Sequence, residues 1–398
     1  MIFNFFVCSA VKEIPEKLEK FLKEIEFPFE TRISYVDRLS GTDDEIKTQL
    51  KSAHVVIGEP HFAHLLSNPE ISCPNLRWFQ STAAGLEYFM KMNPCPYFPT
   101  FAKLPFVVTR GATFYGPTMA EYCISMMIAV QRSFFKMKEV QIKLDSPYVD
   151  RDNYTKFPLL SQLTVGIMGA TGSIGQDIAR RLYALGCTVI GLCRRKRKEG
   201  EPIVTPQVET PVNAHLPPSE LCFEEMYPIL GDDEKQTSLR TFLSKADVVI
   251  NVLPTTLETI HLLGGRLDSE GKEIPSPMES CKKSCIFINI GRGTIIKEDV
   301  LVDILKKGTI SHAVLDVQEM EPLPSSSRLL TELSPDQVTI TPHCSGWPQN
   351  GDFITPLLKE NLSRFAAGMK AEESALKEGR TEEWVPDLLY IMNWKEGY

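Results

Sequence analysis

The chain has 398 residues, 43% hydrophobic and 24% charged, the make-up of a soluble globular protein of two or three domains and not of a disordered or fibrous one. Its 43 basic residues against 51 acidic ones leave a net charge of −8, which repels polyanions and argues against nucleic acid as a general partner. No apolar run nears the roughly 18 residues that a membrane span needs, so no membrane partner is expected.

The opening stretch MIFNFFVCSAVKE reads as a first β-strand and not as a signal peptide, since no basic stretch precedes its apolar part. Further strand-like runs follow at HVVIG (54–58), LRWFQST (76–82) and FVVTR (106–110). One long helix is expected from Thr118 to about Ile142, with an apolar face broad enough for burial between domains or subunits. Six more strands are expected at 163–170, 187–193, 246–254, 284–290, 312–317 and 337–343, with helices between most of them. This alternation predicts an α/β fold with parallel sheets.

Two stretches break the rhythm. The 53 residues between Cys193 and Asp247 carry six prolines, so residues of about 196–240 are read as a surface excursion. A shorter insert, 264–277, is read the same way. The last segment, with the helix PLLKENLSRFAAGM, is expected to return to the first domain. The expected division is a substrate-binding domain, 1–118 with 346–398, interrupted by a dinucleotide-binding domain, 119–345. Ten scattered cysteines without a leader point to reduced thiols and a cytoplasmic protein. Cys281 and Cys285 lack a second pair or a His cluster, and no metal is expected.

The chemistry begins at the strand 163–170. Gly169, Gly172 and Gly175, with Thr171, Ser173 and Ile174 between them, lie between that strand and the helix QDIARRLYALG. A glycine turn there lets backbone N–H groups approach a pyrophosphate at the start of a helix. The spacing is one residue longer than GxGxxG, so Thr171 or Ser173 could supply a hydroxyl. The second strand ends in Arg194 and Arg195, where an NAD site would carry an acid. Arginine suits a 2′-phosphate, so NADP(H) is the preferred cofactor and NAD(H) the possible one. A solvated basic loop, RRKRK, and a targeting signal are the other readings of that stretch.

Arg292, Glu321 and His343 each follow a predicted strand of this domain, and strand carboxyl ends are where open α/β sheets bind ligands. Arg292 would hold a carboxylate, His343 would exchange a proton, and Glu321 beside it would favour the imidazolium. The three together suit reduction of a 2-oxo acid. Cys344 follows the imidazole, and its oxidation is a candidate route to inactivation.

The stretches LRWFQSTAAGLE, GPTMAEY, VGIMGATGSIG, ADVVINVLPTTLET, INIGRG, AVLDVQEMEPL, TPHCSGW with ENLSRF, and the final GY resemble the D-isomer-specific 2-hydroxyacid dehydrogenase family, most closely its glyoxylate/hydroxypyruvate reductase-like branch. The resemblance implies two Rossmann-like domains with a cleft between them and a homodimer formed through helix 119–142. It implies catalytic roles for Arg292, Glu321 and His343, and carboxylate binding by the amides of Ala84 and Gly85. It also implies that Asp316, Gly346 and the loop of Pro254, Thr255 and Thr256 line the nicotinamide. Alternatives are a dehydrogenase for a bulkier 2-oxo acid with NAD, its pocket drawn from Trp78, Phe79, Tyr88 and Trp347, or a dinucleotide-sensing corepressor-like binding protein. A short-chain reductase is disfavoured because no convincing Tyr-x-x-x-Lys pair follows the turn.

Overall fold

The computed structural model describes residues 2–66, 73–86, 89, 106–112, 114–143, 146, 151–195, 212–229, 236–267, 273–346, 354–378 and 387–392. The chain divides into two compact units, Met1–Tyr115 with Pro348–Tyr398, and Gly116–Trp347.

In unit 1, β1 (Ile2–Ser9), α1 (Ile14–Glu24), β2 (Glu30–Asp37), α2 (Asp43–Leu50), β3 (Val55–Gly58), β4 (Trp78–Ser81) and β5 (Val107–Thr109) build a parallel sheet in the order β2-β1-β3-β4-β5. β1 is apolar on both faces because both are covered. Phe3, Phe5 and Val7 join a core with Leu18 and Phe21 of α1 and with Leu362 and Phe365 of the C-terminal helix Thr355–Lys377. Phe6 and Cys8 face a second core with Ile46 and Leu50 of α2 and with Phe62 and Phe79. β2 is absent from the sequence expectation. Its residues ETRISYVD are mostly half-buried at the sheet edge, so they lack a strong apolar signal.

Unit 2 opens with α3 (Tyr115–Gln131) and α4 (Phe134–Ile142). The single long helix expected over 118–142 is therefore two helices, broken where Ser133 takes a left-handed φ of +54°. Next come β6 (Thr164–Met168), α5 (Ser173–Ala184), β7 (Thr188–Cys193), β8 (Glu225–Pro228), α6 (Thr237–Lys245), β9 (Val248–Asn251), the pair β10 (Arg266–Leu267) and β11 (Glu273–Ile274), β12 (Ile286–Asn289), α7 (Glu298–Lys306), β13 (His312–Leu315) and β14 (Val338–Ile340). Among the described residues, seven of these strands form one parallel sheet, β14-β13-β12-β9-β6-β7-β8. The order reverses at β6, so the crevice outside the carboxyl ends of β6 and β9 is its topological switch point.

β8 corrects the reading of the longer insert. Glu225–Pro228 pairs in parallel with Ile190–Cys193 and adds an edge strand to the sheet. The segment before it is fastened to α5 by buried Arg180, which donates to the carbonyls of Pro217 (2.7 Å), Asn213 (2.8 Å) and Leu216 (3.0 Å). The insert 264–277 contributes the antiparallel pair β10–β11.

Candidate active site

β12, β13 and β14 are neighbours in the sheet, and their carboxyl ends carry Arg292, Glu321 and His343. His343 Nδ1 lies 2.9 Å from Glu321 Oε2. With a carboxylate as acceptor, Nδ1 carries the proton and the other ring nitrogen, Nε2, is left for a ligand. The second Glu321 oxygen, Oε1, accepts from the Gln318 amide at 3.0 Å, which fixes the carboxylate. Burial raises the Glu321 carboxyl, but the bonds from His343 and Gln318, with the positive charges of His343 and Arg292, bring it below its ordinary value. The bond to Glu321 raises the His343 imidazole above its ordinary value, against burial and the charge of Arg292. Guanidinium, carboxylate and imidazole thus act electrostatically on one another.

Arg292 is held by the ends of two strands. Asn251 closes β9 and Asn289 closes β12, and the two amides pair at 2.9 Å in the sheet interior. Asn289 also donates to the Arg292 carbonyl at 3.1 Å. Gly293 permits the loop to pass flat against the next one, since a Cβ there would stand 1.9 Å from the Gln318 carbonyl carbon.

His343 adopts a left-handed φ of +53°, which a non-glycine residue keeps only under surrounding constraint. The constraint is Asp316. Its Oδ1 accepts from the Cys344 amide (2.8 Å) and the Thr341 hydroxyl (2.6 Å), and its Oδ2 from the Ser345 amide (2.9 Å). Burial pushes the Asp316 carboxyl up, yet these bonds outweigh it and hold it below its ordinary value. Since Thr341 gives its one proton to Asp316, the Tyr122 hydroxyl 2.7 Å away must donate to Thr341. Tyr122, Thr341 and Asp316 form a one-way chain that ends on the His343 loop. The Asp316 side chain is fully buried, and both of its oxygens serve the loop. Gly346 is half-buried just beyond it.

At the switch point, Gly169 has a φ of +90°, and its N–H and that of Ala170 both donate to the Leu192 carbonyl. Gly172 caps α5, and among the described residues a Cβ on it would meet only the Gly169 carbonyl, 3.5 Å away. No described residue crowds Gly172 there, and first-turn amides of α5 suit a pyrophosphate. Thr171 and Ile174 are half-buried and Ser173 and Gly175 buried around it. Across the crevice, Pro254 accepts from the Thr259 hydroxyl, Thr256 N–H donates to the same hydroxyl, and Thr255 bonds Thr294 at 2.8 Å. This loop is thereby knitted to the one bearing Arg292. Arg194, at the end of β7, forms a 3.3 Å ion pair with Glu258 of the same loop. Arg195 lies beside it.

In unit 1, the loop after β4 is closed by Ser81, whose Oγ donates to the Ala83 carbonyl and accepts from the Ala83 amide, both at 3.0 Å. Ala84 and Gly85 follow, half-buried. Trp78 and Phe79 are fully buried in the two cores and are not pocket residues; Tyr88 and Trp347 lie outside the described residues. Cys344 is exposed, but partial burial of its thiol and the Asp316 charge raise it above its ordinary value, which disfavours the thiolate that oxidation requires. Asn251, Asn289, Gln318, Thr341 and Tyr122 were not singled out in the sequence. The available signal was a polar residue closing an apolar strand, as in ADVVIN and SCIFIN. Among the described residues, no group of three or more His, Cys, Asp or Glu is placed to hold a metal ion, and no helix is long and apolar enough to cross a membrane.

Residues 124–216 and 230–345 match the family model of the D-isomer specific 2-hydroxyacid dehydrogenase NAD-binding domain. The chain belongs to this family, and unit 2 is its nicotinamide-dinucleotide-binding domain. It is similar to glyoxylate/hydroxypyruvate reductase B of Enterobacter sp. (strain 638), 44% identical over 169 residues, which are 42% of this chain and 40% of that protein. A glycerate dehydrogenase of Methylorubrum extorquens is 23% identical over 89% of this chain and 94% of its own length. Among solved structures, a D-isomer specific 2-hydroxyacid dehydrogenase family protein from Aeromonas salmonicida is 25% identical, with a TM-score of 0.63 over 98% of this chain and 99% of that one. An NADPH-dependent glyoxylate/hydroxypyruvate reductase from Sinorhizobium meliloti, solved with NADP and sulfate, shares the fold at 21% identity, with a TM-score of 0.59 over the whole of both chains.

Proposed function

We propose that the protein reduces a small 2-oxo acid of the glyoxylate or hydroxypyruvate kind to the D-2-hydroxy acid with a reduced nicotinamide dinucleotide. The observation that carries this reading is the 2.9 Å His343–Glu321 bond, coupled to the charge of Arg292 at the ends of three adjacent strands. When bound, the dinucleotide supplies a hydride to the carbonyl carbon. His343 gives its Nε2 proton to the carbonyl oxygen, so that no alkoxide has to persist. Arg292 binds the substrate carboxylate and draws electron density from the adjacent carbonyl. Glu321 keeps the ring oriented and stabilises its charged form. The amides of Ala84 and Gly85 are proposed as further carboxylate donors. Gly169 to Gly175 would receive the pyrophosphate, and Pro254, Thr256, Asp316 and Gly346 would border the nicotinamide.

NADP(H) is the proposed cofactor, because Arg194 and Arg195 follow β7, and an arginine at the end of that strand suits a 2′-phosphate. Replacing both by Ala should raise the KM for NADPH by about 10-fold or more while leaving that for NADH nearly unmoved. Equal changes for the two cofactors would refute the preference. A homodimer is proposed through residues 119–142, where Phe134 is 50% and Ile142 71% exposed. Light scattering should give twice the monomer mass, and Phe134→Glu should shift it toward the monomer.

A panel of 2-oxo acids with NADPH and NADH tests the function. Turnover of glyoxylate or hydroxypyruvate by the wild type, lost in Arg292→Ala, is the expected result.

A further inference from the structure

Unit 1 has a switch point of its own. β1 pairs with β2 on one side and with β3 on the other, so the carboxyl ends of β1 and β3 open a crevice of the kind that binds ligands. Ser9 closes β1 and Glu59 follows β3. Glu59 is 8% exposed. Its Oε1 accepts from the Ser9 hydroxyl at 3.0 Å and from the Ala10 amide at 3.3 Å. Among the described residues, its buried Oε2 has no hydrogen-bond partner.

A second orphan leaves the end of the neighbouring strand. Gly58 pairs with Ser81 in the sheet register, and the Thr82 amide donates to the Gly58 carbonyl at 2.9 Å, so Glu59 and Thr82 leave neighbouring strand ends. Thr82 is 3% exposed, and among the described residues its Oγ1 also lacks a partner. The Ala84–Gly85 loop begins two residues later. Buried polar atoms are ordinarily satisfied, and leaving a carboxylate oxygen bare is costly unless something completes it. Burial raises the Glu59 carboxyl, and the bonds from its own backbone amide, from Ser9 and from Ala10, with the charge of Arg38, only partly offset it.

We propose that Glu59 and Thr82 form a subsite that receives a substrate hydroxyl, so that the preferred 2-oxo acids carry a hydroxyl on the carbon beyond the carbonyl. This rests on the function proposed above. A carboxylate repels the acid group of the substrate, which leaves a neutral donor as its fitting partner. Glu59 accepts the hydroxyl proton through Oε2, while Thr82 can donate to the hydroxyl oxygen. A methyl group in the same place would leave both orphans bare, and sites built for a hydroxyl reject such analogues strongly.

The experiment compares hydroxypyruvate with pyruvate, which differ in that hydroxyl alone, on the wild type, Glu59→Leu, Glu59→Gln and Thr82→Val. The wild type should favour hydroxypyruvate in kcat/KM by about 10- to 100-fold. Glu59→Leu and Thr82→Val should bring the ratio toward one, and Glu59→Gln, which keeps an acceptor, should retain part of it. A wild-type ratio near one, or a ratio unmoved in the folded variants, overturns the subsite while leaving the function standing. Should Glu59→Leu fail to fold, the wild-type ratio and Thr82→Val decide. A wild type that reduces no 2-oxo acid refutes the function itself, and the subsite falls with it.

Discussion

His343 sits with its side chain 54% exposed and its Nδ1 tied to Glu321, so its proton is available on one side and its charge is stabilised on the other. Reduction requires the imidazolium. Its rate should be level at low pH and fall as pH rises through the His343 pKa, which lies above the ordinary histidine value. Glu321→Gln removes the largest raising cause, so the falling limb should move to lower pH and kcat should drop by about 10-fold or more. A limb that does not move would separate Glu321 from the titration. Tyr122→Phe removes the first donor of the chain through Thr341 and Asp316. It should lower kcat by about 2- to 10-fold without changing dinucleotide affinity, as measured by fluorescence titration. Arg292, Glu321 and His343 were legible because each follows an apolar strand with a charged group. Asp316 was legible as a residue, but its hydrogen bonds were not. Its saturation depends on amides of residues 344 and 345 that a left-handed His343 turns inward, and no pattern in the sequence announces that turn.

The strand ends are the elements that do the placing. β9, β12, β13 and β14 run side by side, and their exits hold Asn251, Arg292, Glu321 and His343 in one row. Apolar runs such as CIFINI and HAVLDV reveal these strands because they are buried on both faces. The edge strands β2 and β8 escaped notice for the opposite reason: ETRISYVD and EMYP are only half-buried or exposed, and their polar residues resemble loop. The break at Ser133 was equally hidden, since neither Gly nor Pro marks it. Arg180 is the buried pin that holds the proline-rich segment to α5. Arg180→Leu would strand three carbonyls, and chemical denaturation should show a loss of about 2–4 kcal/mol.

At the scale of the whole molecule, two parallel sheets divide the labour. Unit 2 carries the glycine turn and the row of Arg, Glu and His, and unit 1 carries the Ala84–Gly85 loop and the orphaned Glu59 and Thr82. The alternation of strands and helices made two such units legible, and the C-terminal helix enters the core of the first through Leu362 and Phe365. The proposed reduction depends on His343 as the proton donor. Steady-state oxidation of the reduced dinucleotide by glyoxylate or hydroxypyruvate, followed in the wild type and in His343→Ala alongside dinucleotide binding, tests it most directly. The wild type should turn over, and the variant should be slowed by about 100- to 10,000-fold with dinucleotide binding intact. A variant as fast as the wild type, or a wild type that binds the dinucleotide and reduces neither acid, would contradict it.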